Sequence, residues 1–281
     1  MIVLLNGNFV PEEQAVVSVF DRGFLYGDGL FETFRVHQGI PFCWEKHMER
    51  MQHGAALLHL KIPYDSTEMK DFATELIQRN QMPESLLRIT VSRGIGQRGY
   101  SPQGADRPSF VMSLHAAPAL NPSEPQRWKI ITSSVRVPTS DVMTQAKTCN
   151  KLSQILARAE AESTGAQEAL LLNTDGKIAE ATSSNLFWIE NDTVCTPSLA
   201  SGALPGVTRG LVLELCKQLN LSARESDITS EKLRQVDGIF LSLTSLGIVE
   251  VTNLDNHELK HSPLVRRISQ AYHEMIGSLC G

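Results

Sequence analysis

The chain has 281 residues, 42% hydrophobic and 20% charged, which is enough for two modest domains with real cores. Its formal net charge of -5 argues against a dedicated nucleic-acid binder, since neutralising phosphates takes clustered Lys and Arg. No apolar run approaches bilayer-spanning length, and the start, Met1 to Gly7, has neither a basic opening nor a cleavage pattern.

Short strands and turns open the chain: Met1–Leu5, then Val16–Phe20, then Phe31–His37 after the Gly-rich stretch 23–29. Two helices follow, from about Trp44 to Leu60 and from about Ser66 to Arg79, the second with Ser66 as its cap. Leu86–Ser92 and Phe110–Leu114 read as strands joined by the loop 93–108. The Pro-rich stretch from Ala116 to Ser123 has no periodicity, so the expected division is 1–116, a linker over 117–124, and 125–281. Beyond it, Trp128–Val137 is a predicted strand, and Lys147 lies just before a helical pattern that runs from Leu152 to about Ser163. Ala169–Leu172 and Thr182–Trp188 read as strands around the Asp175-Gly176 turn. A helix over Val207–Leu219, strands at Ile239–Leu243 and Gly247–Leu254, and a helix over Leu264–Ile276 complete the chain. Hairpins mixed with helices favour an α+β chain of two domains over a doubly wound fold. Five cysteines (43, 149, 195, 216 and 280), odd in number and never CxxC, fit free thiols in a reducing, cytoplasmic compartment.

Two short motifs match well-known patterns without the context their chemistry needs. His257-Glu258-Leu259-Lys260-His261 fits HExxH, but a zinc site requires both imidazoles on one helix, and here Asp255-Asn256 and Ser262-Pro263 flank it. No metal is expected. Gly94-Ile95-Gly96-Gln97-Arg98-Gly99 fits GxGxxG, but prolines rather than a phosphate-binding helix follow. The loop still offers Arg98 and Tyr100 on a flexible scaffold.

Four stretches point to chemistry when taken in order. They are Asp21 through Val36, His47-Met48-Glu49-Arg50, Lys147 through Leu152, and Glu180 through Phe187 continuing to Leu204-Pro205-Gly206-Val207-Thr208-Arg209. Together they resemble the class IV, fold-type IV pyridoxal-phosphate (PLP) enzymes over nearly the whole chain. That family contains branched-chain and D-amino-acid aminotransferases and 4-amino-4-deoxychorismate lyase. The resemblance implies a small N-terminal α/β domain, a larger PLP-binding domain with a mostly antiparallel, barrel-like sheet, and a homodimer.

The roles it implies make physical sense. Lys147 would attach the cofactor covalently and then move protons, although a single Lys taken alone is usually a solvated surface residue. Glu180 would face the pyridine nitrogen and keep the ring an electron sink; without the family, a strand-edge charge is an equal reading. Arg50, on the same helix face as His47, would grip the phosphate, with Val207, Thr208 and Thr244 as further contacts. Without the resemblance, His47 and Arg50 read as a solvated helix face.

Residues opposite the cofactor separate reactions within the family. The loop from Arg93 to Ser101 looks like that of the lyase. D-amino-acid aminotransferases typically carry a His where this chain has Tyr100 and a tyrosine where it has Phe31. The lyase resemblance implies conversion of 4-amino-4-deoxychorismate, a small-molecule substrate, to 4-aminobenzoate and pyruvate, a step toward folate. Arg98 and Tyr100 would hold a substrate carboxylate, and Thr33 and Arg35 offer further contacts. Glu250 stands where many relatives have proline. The alternatives are a transaminase of D- or branched-chain amino acids and an inactive member with a binding role.

Overall fold

A computed structural model describes residues 1–121 and 123–280. Pro122, inside the expected 117–124 linker, lies outside the described residues. The chain divides into two compact units, the first comprising Met1–Pro118, Ala146–Lys151 and the chain end from Ile276, the second Ala119–Gln145 and Leu152–Met275. The segment carrying Lys147 is thus grouped with the N-terminal unit, not with 125–281.

The first unit contains β1 (Ile2–Leu5), β2 (Asn8–Pro11), α1 (Arg22–Tyr26), β3 (Gly29–His37), β4 (Ile40–Pro41), α2 (Trp44–Leu57), α3 (Ser66–Asn80), β5 (Ser85–Ser92) and β6 (Ser109–Ala116). Its strands form one antiparallel sheet in the order β2-β1-β6-β5-β3-β4. Alternation sends Leu30, Phe34 and Val36 of β3, Leu87, Ile89 and Val91 of β5, and Phe110, Met112 and Leu114 of β6 to one face. Against that face pack Trp44, Met48 and Met51 of α2 and Met69, Ala73, Leu76 and Ile77 of α3, spaced at helical period.

Two expectations are corrected in this unit. No strand forms over Val16–Phe20: Val16, Val19 and Phe20 are exposed, so β-branched apolar residues alone did not secure a pairing partner. The cap of α3 is Asp65 rather than Ser66, because the Asp65 carboxylate accepts from the Thr67 and Glu68 amides while the Glu68 carboxylate reaches back to the Asp65 amide. The Ser66 hydroxyl instead accepts from Trp44 Nε1.

The second unit contains β7 (Gln126–Val137), α4 (Leu152–Ser163), β8 (Glu168–Asn173), β9 (Ile178–Ala181), β10 (Asn185–Glu190), β11 (Thr193–Thr196), α5 (Val207–Gln218), β12 (Ala223–Glu225), α6 (Ser230–Leu233), β13 (Gly238–Leu243), β14 (Gly247–Leu254) and β15 (His257–Glu258). Helix α7 (Pro263–Cys280) ends the chain. The sheet runs β12-β11-β10-β13-β14-β7-β8-β9, antiparallel except at β11–β12, β14–β7 and β7–β8. The predicted α+β class is observed, with a curled, half-barrel sheet of the fold-type IV kind. The single strand expected over Thr182–Trp188 is in fact a turn at Thr182–Ser184 followed by β10. His257 and Glu258 form a short strand rather than a helical turn, and His261 bonds to Glu250 at 3.0 Å. Among the described residues no helix is long and apolar enough to cross a membrane.

Candidate functional site

In the first unit the alternation that sends Leu30 and Phe34 into the core sends Glu32 there too, and its side chain is fully buried. A buried carboxylate needs compensating partners. They come from α2, where His47 and Arg50 lie one helical turn apart. Arg50 donates from Nε and Nη2, each at 2.7 Å, one bond to each Glu32 oxygen, and His47 Nδ1 lies 2.7 Å from Glu32 Oε2. Burial alone would raise the Glu32 pKa, but the Arg50 charge and the hydrogen bonds from Arg50 and His47 bring it down to about 2. His47 shifts below its ordinary value because it is buried and because the charges of Arg50 and Lys147 oppose another proton, against the pull of Glu32. At neutral pH it is therefore an uncharged donor to Glu32.

Lys147 is stitched to the start of β3. Phe31 N–H donates to the Lys147 carbonyl at 3.0 Å, Cys149 N–H donates to the Gly29 carbonyl at 2.8 Å, and Leu30 and Thr148 form an antiparallel bridge. Glycine is required at 29, since an added Cβ would stand 2.6 Å from the Val91 carbonyl oxygen. The Lys147 Nζ stands 4.7 Å from the centre of the Phe31 ring, and the Arg88 guanidinium carbon stands 3.9 Å from that same ring centre. Arg88 is half-buried, and burial lowers its pKa against the charge of Cys149. Its Nε donates to Thr90 Oγ1 at 3.2 Å, and among the described residues no carboxylate pairs with it. Thr33 is the register partner of Arg88 and lies two residues from Phe31 on the same strand face.

In the second unit Glu180 lies near the end of β9. Its Oε2 accepts from the Leu204 amide at 2.9 Å and from Asn185 Nδ2 at 3.4 Å, and Asn185 also donates to the Leu204 carbonyl at 2.9 Å. Gly206 is the N-cap of α5 and offers no side chain to cap the first-turn amides, so Val207 and Thr208 present backbone donors at a positive helix end. A Cβ at Gly206 would stand 1.9 Å from Asn185 Oδ1, so any larger residue here would displace Asn185 or the start of α5. Thr208 is buried, and Thr244 is half-buried in the turn between β13 and β14. A bare, glycine-built helix start suits a phosphate, and a carboxylate fixed by an amide and a carboxamide suits a protonated ring nitrogen.

The loop 93–108 is held from below. Arg22, itself buried, donates to the carbonyls of Gly99, Tyr100 and Ser101 at 2.9–3.1 Å and to Asp28 at 2.8 Å. Burial would raise the Asp28 pKa, but the hydrogen bonds and charges of Arg93 and Arg22 lower it. Arg98 is exposed, and Tyr100 is 88% exposed with its ring edge-on to Tyr26. Among the described residues neither side chain bonds to the Lys147 cluster. The first unit thus brings Lys147 to Phe31, with Thr33 on the same strand face, while Arg50 pairs with Glu32 on the core face and Arg98 and Tyr100 stay on the loop. Arg35 is buried, with Nη1 donating to the Pro118 carbonyl at 2.9 Å, and does not extend the Phe31 face as a free group.

The class IV amino-transferase family pattern matches residues 29–254, most of the chain and every element just described except α1 and the ends. The chain belongs to this family. Among class IV relatives, a Methanocaldococcus jannaschii protein provisionally named a branched-chain-amino-acid aminotransferase is 34% identical over 93% of this chain and 90% of its own length. The aminodeoxychorismate lyase of Bacillus subtilis is 29% identical over 90% of this chain and 87% of its own. A solved T.th. branched-chain amino acid aminotransferase with pyridoxamine 5'-phosphate is 27% identical with a TM-score of 0.90, covering 98% of this chain and 94% of that one. The class IV chain therefore has relatives named for two different reactions.

Sequence reasoning missed Glu32 and Arg88 near Lys147 in the first unit, and Asn185 beside Glu180 in the second. Signals existed for the first two: Glu32 is the one charge on the Leu30-Phe34-Val36 face, and Arg88 interrupts the alternation Leu87-Ile89-Val91 on its opposite face. Asn185 has no such signal, because its role arises from contact with Leu204, 19 residues away.

Proposed function

We propose that this class IV enzyme is a PLP-dependent lyase converting 4-amino-4-deoxychorismate to 4-aminobenzoate and pyruvate. The cofactor is pyridoxal 5'-phosphate. When bound, it supplies an electron sink for the charge that develops at the substrate carbon bearing the amine. Lys147 would anchor it and then take the proton from that carbon at Nζ. Glu180, oriented by Leu204 N–H and Asn185, would hold a proton on the ring nitrogen. Arg50, Val207, Thr208 and Thr244 would bind the phosphate. Arg50 has Nε and Nη2 turned to Glu32, so this cluster would fix the direction of its remaining donors. Loss of the enolpyruvyl group leaves an aromatic product, which favours the forward direction.

The observation that carries the lyase reading is the Phe31 ring flanked by Lys147 Nζ and the Arg88 guanidinium. It offers a substrate ring a flat, hydroxyl-free wall where a D-amino-acid transaminase typically presents a tyrosine. The guanidinium beside it, with no carboxylate among the described residues to neutralise it, suits an acidic substrate. Arg98 and Tyr100 would add contacts from the loop. Pyruvate release from aminodeoxychorismate with no 2-oxo acid present is the deciding assay; turnover that needs an amino acid and 2-oxoglutarate would replace this reading. A branched-chain or D-amino-acid transaminase is the second reading, favoured by the relative named for branched-chain transamination.

Two further features accompany the proposal. Val16, Val19, Phe20 and Phe24 are each more than 60% exposed on and just before α1, an apolar surface that we assign to a homodimer, testable by light scattering. Cys149, Cys195 and Cys216 are in no disulfide, which fits a cytoplasmic enzyme.

A further inference from the structure

Glu168 opens β8, is 0% exposed, and has no place in the roles assigned above. Each of its carboxylate oxygens takes a hydroxyl from one short stretch of chain. Oε1 accepts from the Thr182 hydroxyl and, at 2.9 Å, from the Ala169 amide, while Oε2 accepts from the Ser183 hydroxyl at 2.7 Å. Arg158 Nη1 stands 3.5 Å from Oε2. The Thr182 amide also donates to the Ala169 carbonyl at 3.1 Å, and the Ala181 amide to the Ser184 carbonyl at 2.9 Å.

The clamped turn is the link between Glu180 and Asn185, the two side chains that meet at Leu204. Strand pairing leaves a break just before Glu180, because the β8–β9 register, regular at Leu170–Ala181 and Leu171–Glu180, is interrupted between Leu171 and Leu172. A turn needs no buried carboxylate to close, and desolvating one is costly unless every lone pair is met. Here each oxygen takes one hydroxyl from the turn, with the Ala169 amide and Arg158 beside them, so the bonds hold Thr182 and Ser183 in one arrangement.

We propose that Glu168 is a positioning residue for Glu180: by clamping the Thr182–Ser183 turn it sets the distance and orientation of Glu180 relative to Asn185. The inference rests on the reading of Glu180 as the carboxylate that faces the cofactor's ring nitrogen. Removing an outer partner of a binding group typically costs about 10-fold in affinity or more. Gln at 168 keeps the shape but turns an NH2 toward hydroxyl donors.

The test uses the holoenzyme and three variants, Glu180→Gln, Glu168→Gln and the milder Ser183→Ala. Two quantities are read: the pH midpoint of the bound cofactor's absorbance and its dissociation constant. Glu180→Gln should move the midpoint. Glu168→Gln should move it in the same direction and raise the dissociation constant by about 10-fold, and Ser183→Ala should do so to a smaller degree. If Glu168→Gln is not recovered folded, Ser183→Ala decides alone. A wild-type midpoint and affinity in folded Glu168 and Ser183 variants, with the Glu180 variant shifted, would overturn the positioning role. An unmoved Glu180→Gln would instead remove the reading of Glu180 beneath it.

Discussion

Arg50 grips Glu32 with two parallel hydrogen bonds of 2.7 Å, a bidentate pair between a helix and the core face of a strand. Replacing Glu32 by Gln takes this buried carboxylate away from the half-buried Arg50 guanidinium. Loss of one partner of a buried pair costs about 3–5 kcal/mol. Chemical denaturation of Glu32→Gln should show a loss of that size; a loss below ~1 kcal/mol would mean that the pair is solvated or dispensable.

The same pair sets an acid limit. The folded Glu32 pKa, about 2, lies below its ordinary value of 4.5, so the unfolded chain binds a proton more readily. This contribution is fully present above pH 4.5 and is lost as pH falls toward 2. It is on the order of 3 kcal/mol, at about 1.4 kcal/mol per pKa unit. Stability measured from about pH 5 to about pH 3 should fall in the wild type and be flatter in Glu32→Gln.

His47 acts in a neighbouring window. Its pKa is lowered from 6.5, chiefly by burial, so protonation favours the unfolded chain as pH drops below 6.5. Stability at about pH 5.5 should therefore be lower than at about pH 7.5, and His47→Gln should remove part of that slope. An identical slope in the variant would assign the effect to other histidines.

Lys147→Ala should fold normally but be inactive and lack the near-visible absorption of a bound cofactor. Borohydride treatment should fix a cofactor mass to the wild type and none to the variant. A covalent adduct on another lysine would displace Lys147 from its role.

On the proposed lyase reading, Arg88 and Arg98 are the two candidates to hold a substrate carboxylate. A hydrogen bond to a charged group contributes about 1.5–3 kcal/mol, roughly 10- to 150-fold. Arg88→Leu should raise KM within that range, since its guanidinium sits on the Phe31 ring that also meets the lysine amine, while Arg98→Ala, on the exposed loop, should change it less. The reverse order would show that the loop closes over substrate.

Gly206→Ala carries a steric prediction. The added methyl would meet Asn185 Oδ1 at 1.9 Å, so the start of α5 or Asn185 must move. Overpacking of this kind costs about 1–3 kcal/mol. Apoprotein melting should register it, and cofactor affinity should fall with it.

Much of the architecture is legible in the residues themselves, because period-2 and period-3.6 apolar patterns are local: β3, α2, α4 and α5 lie close to where the spacing puts them. Lys147 and Glu180 stand out in the sequence only through the motifs around them. Errors fall where a local preference meets a long-range competitor. Val16–Phe20 has strand-forming residues and no neighbouring strand, Ser66 yields its cap role to Asp65, and Thr182–Ser184 turns where the strand was expected, two of its hydroxyls bonding to Glu168. The sequence by itself determined which face of each element is apolar and that a lysine precedes α4. Only the tertiary structure decided that Glu32 reaches Arg50 and His47, that Arg88 and Lys147 share one aromatic ring, and that Glu180 is held by Leu204. Each of those depends on which buried charges find partners, and partners are chosen by strand register and helix docking across many residues rather than by neighbours in the chain.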